Sequence, residues 1–213
     1  MLASLRQFRI IPAVKVKNLE VDDALKLAGA LAKSGLPVME IMFRRFSDSK
    51  AMRAVASQIP NFTVGAGGIL NKDQLLRSIE SGAKFAISPG VNADTIREAA
   101  RRNIVYIPGA STPSDIESIL INGSVDFHFF PAEEAGGVRM LKAITDPYDH
   151  LPLDIICGGA SITPEKAAEY LKIPQVAAVI AHWIAPAGLV ESKNWEQIGR
   201  NAEEAVKIAR SCH

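Results

Sequence analysis

Short apolar runs rich in β-branched residues recur at positions 11–16, 38–43, 62–66, 85–88, 104–107, 125–130, 153–157 and 176–181, and each predicts a buried strand. Between them, positions 21–33, 48–58, 72–81, 94–102, 113–121 and 164–171 carry apolar residues at helical spacing, several entered through a Ser, Thr, Asp or Asn cap. Gly35, Gly82 and Gly123 stand where three of these helices should stop in a left-handed turn. Strand and helix alternating eight times, with crossovers long enough to bring the chain back parallel, predict an α/β fold of the (β/α)8 TIM barrel type. An open doubly wound sheet is the competitor. No Gly-x-Gly-x-x-Gly follows the first strand, which removes the strongest signal for a dinucleotide-binding version of that sheet.

Strand parity sorts the candidate chemistry, because alternate residues of a barrel strand face the lumen and active sites gather at the strand C-terminal ends. With Val14 and Val16 turned to the helices, Ala13, Lys15 and Lys17 point to the lumen or its mouth. In the second strand Val38, Glu40, Met42 and Arg44 share the inner face, so an acid and a guanidinium flank Met42. Burial raises a carboxyl pKa and a nearby cation lowers it, so Glu40 is tunable for proton transfer; a structural ion pair is the plainer alternative. In the sixth strand Asp126, His128 and Phe130 turn inward, which sets His128 across the lumen from Glu40. His182 ends the eighth strand. A histidine in a strand is often only a satisfied core group, and no third ligand stands at metal-binding spacing, so no metal and no cofactor are expected.

Cys157-Gly158-Gly159 closes the seventh strand ahead of Ser161 and a helix near Pro164, a pattern suited either to a phosphate or carboxylate cradle of backbone amides or to a plain tight turn. Cys157 paired with a histidine is a further, minor reading for acyl chemistry.

The chain has 213 residues, of which 48% are hydrophobic and 22% charged, enough apolar material for one core in a single domain over residues 1–213. Its 24 Lys and Arg against 23 Asp and Glu leave a net charge of +1 with no basic block, so nucleic acid is not an expected partner. Two cysteines, Cys157 and Cys212, cannot make a disulfide framework and fit a reducing compartment. No run is long and apolar enough for a membrane span, and the first residues lack a signal-peptide core, so the expected location is cytoplasmic with no membrane partner.

The sequence resembles the bacterial 2-keto-3-deoxy-6-phosphogluconate and 4-hydroxy-2-oxoglutarate aldolases over nearly its whole length. The likeness rests on the Ile11-Pro12-Ala13-Val14 strand, on Val38 through Arg44, and on Val64-Gly65-Ala66-Gly67. It continues through Ser88-Pro89-Gly90, Ile107-Pro108-Gly109, Phe129-Phe130-Pro131-Ala132-Glu133 with Gly136-Gly137-Val138, and Ser192-Lys193-Asn194-Trp195, all in family order. The resemblance implies a (β/α)8 lyase, a homotrimer, in which a lysine forms a Schiff base with pyruvate, a glutamate shuttles protons and an arginine holds the carboxylate. Glu40 and Arg44 match the last two. The lysine belongs in a Phe-Lys-Phe-Phe-Pro segment, and this chain has Phe127-His128-Phe129-Phe130-Pro131. An imidazole carries no primary amine and cannot form an iminium.

Other departures lie at the same rim. Gly68 stands in place of a threonine, Cys157 through Ile162 replaces Pro-Thr-Gly-Gly-Ile with an expected insertion, and Ile180-Ala181-His182-Trp183 replaces Gly-Gly-Ser-Trp. The family's phosphate site therefore reads as altered, with loss of the advantage of phosphorylated substrates as the consequence. Lys15 occupies a usually small, apolar position and is a candidate transplanted amine, its pKa expected to fall in an apolar lumen near Arg44; the alternative is a lysine that snorkels at the mouth or pairs with Glu40. The expected site is then Glu40, Lys15 and His128 for catalysis, with Arg44, Gly68, Pro89, Phe130, Gly158, Gly159 and His182 binding a small 2-oxo acid. Two functions follow: an aldolase releasing pyruvate and an aldehyde from 2-keto-4-hydroxy acids, or a silent or redesigned barrel that binds a small carboxylate without turnover.

Overall fold

The computed structural model describes residues 2–212, except for the side chains at positions 3 and 46. A short helix α1 (Ala3–Arg6) leads into β1 (Ile10–Val14), α2 (Val21–Lys33), β2 (Val38–Met42), α3 (Phe46–Gln58), β3 (Thr63–Gly67) and α4 (Lys72–Glu80). The chain continues through β4 (Phe85–Ile87), α5 (Ala93–Arg101), β5 (Val105–Ile107), β6 (Gly109–Ala110), α6 (Pro113–Ile121), β7 (Asp126–Phe129) and α7 (Gly137–Thr145). It closes with β8 (Asp154–Cys157), α8 (Pro164–Leu171), β9 (Val176–Ala181), α9 (Ala187–Glu191) and α10 (Trp195–Ser211).

The strands form one parallel sheet in the order β5-β4-β3-β2-β1-β9-β8-β7-β6. Its two ends, β5 and β6, are halves of one strand separated only by Pro108, which has no N–H to give to a ladder. Counted as one, they complete an eight-place ring, so the fold is the expected (β/α)8 barrel and not the open sheet. Main-chain bonds bridge the seam: the Ser88 amide donates to the Ile107 carbonyl at 3.0 Å, and the His128 amide to the Pro108 carbonyl at 2.7 Å.

Strands buried on both faces explain the near-continuous apolar runs, and every residue of β1 and β9 is buried. Helix boundaries shift locally for identifiable reasons. The helix expected to open at Asp48 starts two residues earlier, because the Asp48 carboxylate accepts the amides of Arg44 and Arg45 at 2.8 and 2.6 Å from inside the first turn. The first strand was expected over 11–16 and ends at Val14, which leaves Lys15 on the loop beyond it.

Three lumen-side glycines give room to larger side chains. A Cβ at Gly65 would lie 2.2 Å from the Phe85 ring, one at Gly67 1.6 Å from Glu40 Oε1, and one at Gly158 2.1 Å from His128 Nε2. Gly109 meets backbone instead, its Cβ position falling 2.2 Å from the Pro89 carbonyl carbon. Gly109→Ala therefore forces the closing seam apart and should cost about 3 kcal/mol in urea unfolding. Gly29→Ala, inside α2 with nothing within 4 Å of the new methyl, should gain about 0.5–1 kcal/mol in the same measurement.

Candidate active site

The C-terminal ends of the strands open into a cavity of about 750 Å³. From β1 and the loop after it come Ala13 and Lys15, and from β2 and its loop Glu40, Met42 and Arg44. From β7 and beyond come His128 and Phe130, and His182 follows β9. Inward parity is thus as read from the alternation. Gly68, Pro89 and Gly159 also line the wall, whereas Gly158 does not; it lies against the His128 ring and makes space for it.

Glu40 is 4% exposed, and its Oε2 has no hydrogen-bond partner. Removal from water disfavours the carboxylate and pushes the pKa from 4.5 to about 7, so the group exchanges its proton in the neutral range. His128 is 6% exposed, and burial takes its pKa from 6.5 to about 4, opposed by the hydrogen bond to the Ser88 carbonyl and aided to a lesser extent by the field of His182. Its Nδ1 lies 3.0 Å from the Ser88 carbonyl oxygen, which can only accept, so the proton sits on Nδ1 and Nε2 carries the lone pair. Nε2 is buried without a partner. The ring packs against Phe130, with centroids 5.1 Å apart. His182 is also shifted down, first by burial and then by the charge of Lys15. His182 follows β9, which neighbours β1 in the sheet, so it stands beside Lys15.

Two expectations are corrected. Lys15 does not sit in an apolar lumen: it lies beyond the end of β1 at the rim, with an exposed side chain, as in the alternative of a lysine at the mouth. Cys157 is buried away from the cavity, beside Glu133 and Tyr170, where burial first and the Glu133 charge second push its thiol well above the ordinary range. A Cys157–histidine dyad is thereby excluded, because an unionised thiol facing the helix layer is neither nucleophilic nor in reach. Arg45, Gln74 and Glu134 were not singled out by the pattern, since strand parity says nothing of residues in loops or, like Gln74, in the first turn of a helix. Gln74 and Glu134 line the cavity, and Arg45 donates to the Lys17 carbonyl in the adjoining loop. Among the described residues, no cluster of His, Cys, Asp or Glu could hold a metal ion, and no helix is long and apolar enough to cross a membrane.

A parallel barrel with a titratable carboxyl, a guanidinium and an amine gathered at the strand C-terminal ends has the build of a barrel enzyme working on a small acid. The sequence model of one family, Aldolase: KDPG and KHG aldolase, matches residues 1–201, and the chain belongs to that family. It is 35% identical to a 2-dehydro-3-deoxy-phosphogluconate aldolase of Haemophilus influenzae over 98% of this chain and 96% of that protein. It is 36% identical to the KHG/KDPG aldolase of Escherichia coli over 94% and 92% of the two chains. Among solved structures, the KDPG aldolase of Legionella pneumophila, with pyruvate captured at low pH as a covalent carbinolamine intermediate, superposes with a TM-score of 0.88 at 32% identity. That match covers 95% of this chain and 96% of the other. The 2-keto-3-deoxy-6-phospho-gluconate aldolase of Zymomonas mobilis gives 0.87 at 30% identity over 96% and 95%.

The two buried groups oppose each other in their effect on stability. Glu40 stabilises the fold fully below its unfolded pKa of 4.5 and loses that contribution as pH rises through about 7. His128 does the reverse, contributing above 6.5 and losing the contribution as pH falls through about 4. Glu40→Gln should match the parent in unfolding free energy near pH 4 and exceed it by about 3 kcal/mol near pH 8. Equal stabilities across that range would mean that the Glu40 carboxyl is solvated.

Proposed function

We propose that the chain is an aldolase-type lyase that cleaves 2-keto-4-hydroxy acids to pyruvate and an aldehyde, with Lys15 as the Schiff-base amine. The observation that carries this reading is that Lys15 is the sole lysine lining the cavity that holds Glu40 and Arg44, among the described residues. The family's reaction requires an amine, and position 128 does not supply one. The carbinolamine of the Legionella relative fits the same amine-dependent chemistry.

In this reading Arg44 pairs with the 2-oxo acid carboxylate, fixing the keto carbon near the rim beside Lys15. The free amine adds to the keto carbon, and loss of water gives an iminium. The carboxylate form of Glu40 takes the proton of the 4-hydroxyl, the bond between C3 and C4 breaks, and the electron pair passes into the iminium, leaving an enamine and a free aldehyde. C3 takes a proton from Glu40, whose pKa near 7 allows it both to give and to recover one at neutral pH. Water then hydrolyses the imine, releasing pyruvate and Lys15. His128 serves as a neutral polar group in the lumen, and Gly68, Pro89, Phe130, Gly159 and His182 bound the substrate, with Gly158 backing the imidazole. A homotrimeric state, which rests on the family resemblance, and a cytoplasmic location, which rests on the cysteine count and the lack of a long apolar run, belong to the same reading.

Borohydride reduction in the presence of pyruvate, followed by peptide mapping, is the test, since only an imine is reduced to a stable adduct. The expected adduct is on Lys15, lost in Lys15→Ala, with Arg44→Ala raising the pyruvate needed for half-trapping by at least about tenfold. An adduct on any other lysine would overturn the assignment. No adduct, with pyruvate binding that depends on Arg44, would mark a barrel that binds without turnover.

A further inference from the structure

The cavity wall is electrically uneven. Its cations, Lys15 and Arg44, lie on the loops after β1 and β2, neighbours in the sheet. A smaller cavity of about 160 Å³ adjoins this pole and is lined by the same two residues together with Lys17, Arg45 and Asp48, whose carboxylate accepts the amides of Arg44 and Arg45. Across the mouth, the loop after β7 contributes Glu134. With β5 and β6 counted as one strand, β2 and β7 stand four places apart in an eight-place ring, which makes them opposite. Glu40 is the other carboxyl in the wall, and near neutral pH it is partly protonated.

Glu134 is held in place. Its Oε1 accepts the Ser161 hydroxyl from the loop after β8, and that bond, followed by one from its own backbone amide, keeps its carboxyl below the ordinary range. The second oxygen is left over Gly159, where even a Cβ would come within 3.4 Å of Oε2. The absence of a side chain at Gly159 thus leaves an ionised acceptor uncovered at the end of the cavity remote from Arg44.

We propose that Glu134 determines specificity at the distal end of the cavity, accepting a hydrogen bond from an uncharged, hydroxyl-bearing tail and repelling a phosphorylated one. The assignment rests on the reading of the cavity as a 2-oxo acid site, with the carboxylate at Arg44. A tail that reaches across the mouth then meets a fixed negative charge. A phosphate there is repelled by Glu134, whereas a hydroxyl finds an acceptor already oriented by Ser161. The substrates of choice are unphosphorylated 2-keto-3-deoxy sugar acids.

The test uses gluconate and 6-phosphogluconate, which present the carboxylate and the two kinds of tail but lack the keto carbon, so that binding is read apart from any imine. In calorimetric titration at low salt the parent should bind gluconate about tenfold more tightly than 6-phosphogluconate, and raising the ionic strength should narrow that ratio. Glu134→Gln, on an exposed loop, keeps an acceptor but removes the charge, and should bring the two ligands to within about twofold of each other, chiefly by improving the phosphorylated one. Equal or tighter binding of 6-phosphogluconate by the parent, an unchanged ratio in Glu134→Gln, or no gluconate binding at all would overturn the proposal. Failure to trap pyruvate on Lys15 would leave this ratio untouched, so the two readings fail separately.

Discussion

An eight-stranded parallel barrel encloses a lumen just wide enough to be filled by side chains, and how this chain fills it governs the rest of the site. Glu40, Phe85 and His128 are accommodated because Gly65, Gly67 and Gly158 have no Cβ to oppose them. Each glycine faces one large group, and a methyl at any of the three would collide with the side chain that occupies its place. The result is a lumen floor made of a carboxyl, a phenyl ring and an imidazole, cut off from solvent, with open space only above them. That division into a dry floor and a wet rim separates the groups whose protonation is tuned by burial from the groups that remain charged.

Burial of a titratable side chain is costly, and here both buried groups avoid the cost by staying neutral. Glu40 keeps its proton to about pH 7, and His128 declines one down to about 4. The identity of residue 128 matters for Glu40. An ammonium in the lumen at that position would favour the carboxylate and draw its pKa down. A neutral imidazole, tied through Nδ1 to the Ser88 carbonyl, exerts no such pull. A histidine at position 128 therefore offers no amine and leaves the carboxyl opposite in a protonation range suited to giving and taking protons near neutrality.

Much of this was legible in the chain. The eight apolar runs gave the barrel, and period-two alternation assigned Ala13, Glu40, Met42 and His128 to the inner face, because a strand buried on both sides still obeys strict parity. Parity fails where strands end. Lys15 falls one residue past β1, so its facing was read correctly and its burial was not. Cys157, at the other parity from Gly158, turns to the helices, a consequence that the cysteine's proximity to two glycines had obscured. Glu134 and Ser161 meet through loops 27 positions apart in sequence, a pairing that no periodicity encodes. The break at Pro108 was equally hidden, since a proline within an apolar run looks like a strand end until both halves are seen to belong to one place in the ring.

On the proposed reading the reactive amine stands at the rim and not in the lumen, which changes more than its address. A lysine at position 128 would share the dry floor with Glu40 and approach a bound keto carbon from below, opposite the strand that carries the arginine. Lys15 and Arg44 instead leave adjacent strands, paired through Ala13 with Glu40 and Val14 with Ile41, and reach the same side of the mouth. On the proposed reading, a small 2-oxo acid gripped at its carboxylate by Arg44 would present its keto carbon within the arc of the neighbouring Lys15 side chain, so that one pair of strands would supply both anchor and nucleophile with Glu40 beneath. On that reading the opposite wall, formed by β7 and its neighbours, carries no covalent duty. His128 and Glu134 come from β7 and the loop after it, opposite β2, whereas His182 follows β9, the neighbour of β1, and stands on the Lys15 side of the mouth.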